Sequence, residues 1–582
     1  MKNLLTLSLL ALISSSLLAQ NCPPPTAQMD LDINNVRAKI LNGGDLWNDP
    51  VQQTPLYEVP IGSGKNAIYA GSFWIGGLDA GNQVYVAAQT YRQQASNDFW
   101  PGPISKNPFS GAISVSNTVC SDFDMLFPIT KAEVLSFISG GPATSNINNW
   151  PGNGNVSNFQ LPNLAPFFDA NNDGQYDPQN GDYPYFNFTG SYPTDPFSGE
   201  PLCDDYVFGD KAIWWVFNDI GNIKTETNSA GIGLEIRAMA FAYSSSNTII
   251  NNTTFYKYQI INGGSITLFD THAGIWVDPD LGNGVDDFVG CDVSRNLGYV
   301  YNGDADDDGT FGYGLLPPAA GVDLLRGPLA DVNDTIDNDR DGIMDEPGER
   351  INMSSFLYYT NTNNVPNGNP GNTVDYYQYL SANWLDSLPI TYGGDGRGTG
   401  PGATTTPTTF MFPDNTNSLF TTPWTMGTAG IQPNDMRFLM GSGPFTMQPG
   451  EVNYMSDAVI WTRTSTAGSN MPSVTELQSA SDVVQSLFDD CFTTTGLQEA
   501  GMIKGIQVFP NPFTKNCSID FSETDLKEAR IRIFNIKGQL LLDEKYNKSS
   551  NVFSFGESLN AGVYVIEIRN GNKAFSQRVV KY

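Results

Sequence analysis

The chain has 582 residues, with 61 Asp and Glu against 30 Lys and Arg, so its formal net charge is −31. This acidity excludes nucleic acid as a main partner, because a phosphate backbone binds a basic surface. With 40% apolar and 12% aromatic residues, the chain can bury a large core. Its single histidine, His272, excludes zinc sites built from several histidines and leaves one candidate for a histidine base.

The N-terminus has the pattern of a secretory signal peptide. Lys2 precedes a short apolar run over residues 4–18, and Ala19 offers a small residue for cleavage. The run is shorter than the roughly 20 residues that span a bilayer, and no later segment is long and apolar enough. We therefore expect residues 1–19 to be a signal peptide and the mature chain to have no transmembrane segment.

Six cysteines accompany this export signal. Export makes disulfides possible, but the sequence does not choose among the possible pairings. The alternative is that some of the cysteines are buried free thiols. The six are Cys22, Cys120, Cys203, Cys291, Cys491 and Cys517.

The middle of the chain predicts β-structure. Segments 83–93, 212–217, 234–241 and 255–260 are rich in aromatic and β-branched residues, and clusters of Gly, Asn, Asp and Pro separate them. We expect an all-β fold, in which residues 20–492 form a large acidic region of the β-sandwich type, in one domain or more.

Three acidic segments have the spacing of a calcium loop, in which alternate residues point oxygen atoms at one centre. Glycine at the sixth position allows the sharp turn in each. We name them loop 1 (169–177), loop 2 (304–309) and loop 3 (337–345). The predicted ligands are Asp169, Asn171, Asp173, Gln175 and Asp177 in loop 1, Asp304, Asp306 and Asp308 in loop 2, and Asp337, Asp339, Asp341, Ile343 and Asp345 in loop 3.

Calcium is the expected cation, because it takes about six to eight oxygen ligands. Gln175 and Ile343 would contribute main-chain carbonyl oxygens. The glutamate at position twelve of a full EF-hand is missing, and Asp182 or Glu349 is expected to replace it. The alternative is that all three segments are ordinary turns. A fourth acidic segment, 278–287, lacks the regular spacing and predicts a polar loop.

The acidic region ends in its one clearly helical segment, residues 473–492, with Ser473 and Glu476 as a candidate capping box. The charge then changes sign, since the last 82 residues carry a net charge of +4 and the preceding 500 carry −35. Such a change favours two modules. We expect a linker at 493–505 and a separate module at 506–582.

Four sequence blocks mark this C-terminal module. They are VFPNPF at 508–513, IRIFNIKGQ at 531–539, LNAGVYVIEI at 559–568 and QRVVKY at 577–582. Prolines keep the first block extended, and Gly562 introduces an alternating strand, so the module is expected to be a small Ig-like β-sandwich. In content and order, the blocks resemble the type A C-terminal sorting domain of the Bacteroidetes type IX secretion system.

The resemblance implies an export route and partners. An outer-membrane translocon reads such a module after the signal peptide has directed the chain to the periplasm. A surface sortase then commonly removes the module and attaches the cargo to lipopolysaccharide, or the cargo is released. The expected partners through 506–582 are the translocon and the sortase, and the expected location is the outer cell surface or the extracellular space. An Ig-like tail with no sorting role is the alternative.

The large region also resembles secreted Bacteroidetes surface proteins without an assigned activity. The shared stretches are FWIGGLD at 73–79, DFWPGP at 98–103, WVDPDLG at 276–282, DFVGCD at 287–292, YNGD at 301–304 and GPFT at 443–446. We therefore predict a calcium-stabilised structural or adhesive protein without catalysis, with extracellular glycans or other cells as partners. The alternative is a secreted polysaccharide-active enzyme or carbohydrate-binding protein. Facing carboxylates and exposed aromatic rings in a cleft would favour the alternative, and buried tryptophans would favour the first.

Overall fold

A computed structural model describes residues 22–194, 201–416, 422–465, 469–493, 501–502, 506–522, 524, 526, 528–535, 540–547, 551–570 and 573–582. The signal segment and most of the expected linker therefore lie outside the described residues. The chain divides into two compact units, residues 1–491 and residues 492–582. We call them the acidic unit and the basic unit. None of the helices in the described ranges is long and apolar enough to cross a membrane.

The acidic unit is built mainly of antiparallel strands. Its strands are β1 (Gln28–Leu31), β2 (Arg37–Leu41), β3 (Asp45–Leu46), β4 (Asn48–Asp49), β5 (Thr54–Pro55), β6 (Tyr57–Glu58), β7 (Asn66–Ile68), β8 (Ala70–Leu78), β9 (Val84–Ala87), β10 (Trp100–Pro101), β11 (Ser105–Lys106), β12 (Ile113–Ser114), β13 (Phe127–Thr130), β14 (Phe167–Phe168), β15 (Tyr183–Pro184), β16 (Lys211–Asn218), β17 (Leu234–Ala242), β18 (Thr253–Asn262), β19 (Leu268–Asp278), β20 (Asp287–Asp292), β21 (Leu297–Asn302), β22 (Asp306–Asp307), β23 (Gly314–Leu315), β24 (Ala319–Arg326), β25 (Ser355–Thr360), β26 (Met436–Met447) and β27 (Val452–Thr462).

Two large sheets organise these strands. The first has the order β25-β26-β19-β8-β3-β2-β6-β7, with β1 on β2 and β9 on β8. The second has the order β10-β16-β17-β18-β27-β24-β21-β20, with β13 on β16. Side chains from the two sheets meet: the rings of Phe73 and Tyr258 stack with centroids 5.0 Å apart, and the hydroxyls of Tyr57 and Thr254 lie 2.9 Å apart. The core of the unit therefore lies between the two sheets.

The sequence pattern accounts for the central strands. The alternating segment at 234–241 forms β17, and that at 255–260 forms the middle of β18. Every residue of β17 is buried, including those at its polar positions, because other chain segments cover the outer face of the sheet. In the second sheet, β17 lies between β16 and β18.

Seven helices lie among the described residues of this unit, and the sequence pattern indicates only the last. They are α1 (Asn117–Asp122), α2 (Lys131–Ile138), α3 (Ser145–Asn148), α4 (Thr248–Asn251), α5 (Thr373–Leu380), α6 (Met426–Ala429) and α7 (Met471–Asp489). The other six have eight residues or fewer, which is too short for a helical period to stand out.

The candidate capping box of α7 does not form. The helix begins at Met471, two residues before Ser473, and its N-cap residue Asn470 makes no side-chain cap. The Ser473 hydroxyl is buried and donates to the carbonyl of Pro317 at 2.7 Å. The Ser473 hydroxyl, which the local pattern predicts as the helix cap, therefore forms a tertiary hydrogen bond with Pro317 and does not cap the helix.

Two disulfides tie distant parts of the acidic unit together. Cys22 is bonded to Cys120 and Cys203 to Cys491. Cys291 is a buried free thiol, as is Cys517 in the basic unit.

The basic unit consists of two small sheets. Its strands are β28 (Gly501–Met502), β29 (Gln507–Phe509), β30 (Cys517–Asp520), β31 (Glu528–Asn535), β32 (Leu540–Asn547), β33 (Val552–Phe555), β34 (Gly562–Asn570) and β35 (Lys573–Lys581). One sheet has the order β28-β35-β34-β31-β32, and the other has the order β29-β30-β33. As predicted, Gly562 opens a strand in which Tyr564, Ile566 and Ile568 are buried in the core and Val565 points outward.

Candidate metal centres

Loop 1 folds around the side-chain oxygens of its first, third and fifth residues. The backbone N–H of Asp173 donates to Asp169 Oδ1 at 3.2 Å and to Asn171 Oδ1 at 3.1 Å. The N–H of Gly174 donates to Asp169 Oδ2 at 2.7 Å, and that of Gln175 donates to Asp173 Oδ1 at 2.8 Å. The three predicted side-chain ligands thus surround one turn.

Loop 3 repeats this pattern position for position. The N–H of Asp341 donates to Asp337 Oδ1 and to Asp339 Oδ1, both at 3.1 Å. The N–H of Gly342 donates to Asp337 Oδ2 at 3.0 Å, and that of Ile343 donates to Asp341 Oδ1 at 2.7 Å. Two segments about 170 residues apart therefore have the same local structure, which ordinary variation among turns does not predict.

The backbone angles match as well. The fourth residue has a left-handed φ in both loops, 59° at Asn172 and 65° at Arg340. The sixth residue does too, with φ of 76° at Gly174 and 97° at Gly342. Glycine adopts this conformation without steric cost, which explains the residue type at position six.

A carboxylate further along the chain braces each loop. Asp182 accepts the N–H of Ala170 at 2.9 Å and that of Asp177 at 2.8 Å. In loop 3, Glu349 accepts the N–H of Asn338, the residue equivalent to Ala170. Asp182 and Glu349 are the two residues that the sequence offers in place of the missing glutamate, and both contact the second residue of their loop.

Carboxylates converge most strongly in loop 3. One oxygen from each of Asp337, Asp339 and Asp341 lies within 4.8 Å of the others, and Asp339, Glu346 and Glu349 form a second such group. Burial and the neighbouring carboxylates raise the pKa of Asp339. The shared member, Asp339, therefore lies between two sets of negative charge.

The residues predicted at the ninth position each accept a hydrogen bond from a backbone N–H. Asp177 accepts the N–H of Gln179 at 2.9 Å and begins a short 3₁₀ turn. Asp345 accepts the N–H of Thr335 at 3.0 Å, and its place beside Asp339 is taken by Glu346, which the sequence reasoning missed.

Loop 2 does not share the structure of the other two. The N–H of Asp306 donates to Asp304 Oδ1 at 2.9 Å, and Asp308 is exposed. The buried acid of this segment is Asp307, which accepts the N–H groups of Asn283 at 3.1 Å and Tyr313 at 2.7 Å. Burial raises the pKa of Asp307 to about 6. The carboxylate that was not among the predicted ligands therefore holds this segment together.

A further acidic group lies where β19 pairs with β26. One oxygen from each of Asp278, Asp280 and Asp435 lies within 4.8 Å of the others. Asp278 Oδ2 accepts hydrogen bonds from the Tyr91 hydroxyl at 2.6 Å and from Arg437 Nη2 at 3.0 Å, and Arg437 also pairs with Asp435. Burial raises the pKa of Asp278 well above its usual range. Arg437 supplies the positive charge here, so this group is an ion-pair network.

Comparison with known proteins identifies the basic unit. A family model described as a secretion system C-terminal sorting domain matches residues 507–582. The chain is a type IX secretion cargo. The sorting domain places this cargo on the cell surface or in the extracellular space and implies an interaction with the type IX machinery.

No curated protein matches the cargo, so the resemblance of its large region to secreted surface proteins stays a prediction. A solved structure of a polysaccharide lyase aligns with 60% of this chain at 9% identity, with a TM-score of 0.16. The cargo spans 34% of the length of that structure.

The tryptophan side chains of the cargo lie inside the fold. All ten tryptophans are buried, with 6% exposure or less: Trp47, Trp74, Trp100, Trp150, Trp214, Trp215, Trp276, Trp384, Trp424 and Trp461. Burial lowers the pKa of His272 to about 4, and its Nδ1 has no hydrogen-bond partner among the described residues. The imidazole is therefore neutral near pH 7, and no carboxylate in the described part of the chain orients it.

Proposed function

We propose that the acidic unit is a calcium-stabilised structural or adhesive protein of the cell surface or extracellular space, without catalytic activity. The matched structure of loops 1 and 3 carries the proposal. Both loops arrange side-chain oxygens of their first, third and fifth residues around one turn. Hard oxygen ligands in this arrangement are the ones that calcium prefers.

The charge of loop 3 supports a bound cation. Its arginine, Arg340, turns away from the carboxylates and donates to the carbonyls of Met353 and Val293, both at 2.8 Å. Glu346 Oε2 is buried and accepts no hydrogen bond among the described residues. Like charges so close repel one another unless a cation lies between them, and calcium would remove that repulsion.

The interior position of the tryptophans supports a role without catalysis. A polysaccharide-active protein commonly presents exposed aromatic rings that stack on sugars, and here every tryptophan is buried. The acidic unit also offers its single histidine as a neutral, unoriented side chain, which is a poor general base. These features favour a stable scaffold over an enzyme.

Calorimetric titration of the full chain with calcium tests the proposal. We expect two binding events per chain, of which Asp173→Asn removes one and Asp341→Asn removes the other. Asp308→Asn changes an exposed acid in loop 2 and is the matched control, expected to leave both events in place. Absence of calcium binding at millimolar concentration, or equal binding by all three variants, would refute the proposal.

A further inference from the structure

A cavity of about 390 Å³ lies over the outer face of the second sheet. Tyr258 of β18 stacks on Phe73 of the first sheet, so Lys257 and Gln259, its neighbours in the strand, point to the opposite face. Strand pairing places Arg237 opposite Gln259, and Gln259 opposite Tyr454. Three polar side chains thus form one row across β17, β18 and β27, on the floor of the cavity.

The walls combine aromatic rings with polar groups. Phe167, Tyr185 and Tyr454 line the cavity, and each is half-buried. Asp169 and Gly174 of loop 1 also line it. The volume falls within the range of about 300–1,000 Å³ that is common for small-molecule sites.

Lys257 contributes a half-buried positive charge. Its Nζ donates to the carbonyl oxygens of Cys203, at 3.4 Å, and Asp204. No carboxylate lies within ion-pair distance of it among the described residues. Asp204, the nearest acid in sequence, forms its ion pair with Arg326 at 2.8 Å, and Asp205 is exposed. Burial lowers the pKa of Lys257 to about 8, so the ammonium is still mostly charged at neutral pH.

Arg237 contributes a donor that the fold leaves unused. Its Nε pairs with Glu235 at 2.8 Å, and its Nη1 donates to the carbonyls of Asn163 at 2.9 Å and Leu164 at 3.3 Å. Its Nη2 is buried and has no hydrogen-bond partner among the described residues, and the residue is only 8% exposed. An unmet buried donor costs about 1–3 kcal/mol, so an acceptor supplied by a ligand would be favourable.

We infer that this cavity binds a carboxylate-bearing sugar unit, such as a uronate of an extracellular polysaccharide. The ammonium of Lys257 and the free nitrogen of Arg237 match a carboxylate. The half-buried rings match the apolar faces of a sugar ring, and Gln259 and Asp205 match its hydroxyls. The inference rests on the adhesive part of the proposed function and gives it a ligand class.

Calorimetry with the full chain in calcium-containing buffer tests this site. The probes are digalacturonate, its dimethyl ester, and benzoate as a carboxylate that is not a sugar. We expect digalacturonate to bind at least about tenfold more tightly than the ester, which lacks the charge, and than benzoate, which lacks the hydroxyls. Absence of digalacturonate binding at millimolar concentration, or equal binding of the ester or of benzoate, would overturn the inference.

Two variants locate the binding. Lys257→Met keeps the length of the side chain and removes its charge, so digalacturonate affinity is expected to fall at least about tenfold. Gln259→Met, which removes no charge, keeps the test valid if the first variant does not fold, and is expected to weaken binding as well. Lys106→Met, at an exposed position outside the cavity, is the control. The assignment is contradicted if neither cavity variant loses affinity for digalacturonate, or if only the control variant loses it.

The same variants separate this inference from the calcium proposal. Lys257→Met leaves the calcium ligands in place, so its melting temperature should keep the calcium dependence of the parent chain. If sugar binding fails while that dependence remains, the cavity assignment is wrong and the calcium proposal is unaffected.

Discussion

Removing calcium should lower the melting temperature of the acidic unit by about 5 °C. A cation that binds only the folded state adds RT ln(1 + [Ca]/Kd) to the free energy of unfolding, about 2.7 kcal/mol per site at a hundredfold excess. Loops 1 and 3 together would then contribute about 5 kcal/mol. The unfolding entropy is roughly 2.1 cal/mol/K per residue, or about 1 kcal/mol/K for the roughly 470 described and intervening residues of this unit.

Differential scanning calorimetry with and without EDTA measures this shift. Asp173→Asn and Asp341→Asn should each remove about half of it, and magnesium should restore little, because it prefers a smaller octahedral shell. The transition of the basic unit should not move, since neither loop belongs to it. Coincident curves with and without chelator, or variants that keep the whole shift, would refute the reasoning and identify loops 1 and 3 as ordinary turns.

Three further predictions concern export, pH and packing. Deletion of residues 506–582 should leave the protein in the periplasm, and surface display of the truncated chain, measured by cell fractionation, would contradict the sorting role. Because the pKa of His272 falls from its usual 6.5 to about 4, the unfolded imidazole takes up a proton first, so stability is lost as pH falls from about 6.5 towards 4. His272→Gln should lose less stability than the parent between pH 7 and pH 5 in urea unfolding, by at most about 2 kcal/mol, and equal losses would exclude this origin. Gly71→Ala places a Cβ 2.1 Å from a ring atom of Trp47 and should destabilise the unit by about 1–3 kcal/mol, whereas Gly427→Ala, with no atom closer than 3.7 Å, should not; equal denaturation midpoints would contradict this packing.

The sequence predicts structure well where one segment carries the whole signal. The alternating residues at 234–241 indicate β17 without reference to any other segment. The blocks of the sorting domain likewise carry their order and turn residues in one stretch of chain. In both cases the residues that carry the pattern are neighbours in the sequence. Such a pattern predicts the structure correctly when the tertiary contacts favour the same conformation.

The sequence fails where the partner of a residue is distant. Asp435 joins Asp278 because β26 pairs with β19, and nothing near residue 278 announces that pairing. Arg437 could have indicated this acidic group from the sequence, because an arginine inside a strand of large apolar residues needs a buried acid as its partner. The predicted capping role of Ser473 was wrong for the same reason, because its hydroxyl donates to the carbonyl of Pro317, which is distant in sequence. The disulfide pairs are also long-range, with sequence separations of 98 and 288.

The position of the two disulfides bears on how long the protein lasts outside the cell. Cys22 is tied to Cys120, and Cys491, the last residue of the acidic unit, is tied to Cys203. Exposed loop tips are preferred sites of proteolytic nicking. A single backbone cut between Cys22 and Cys120, or between Cys203 and Cys491, therefore leaves two fragments that stay covalently joined until a reductant opens the disulfide.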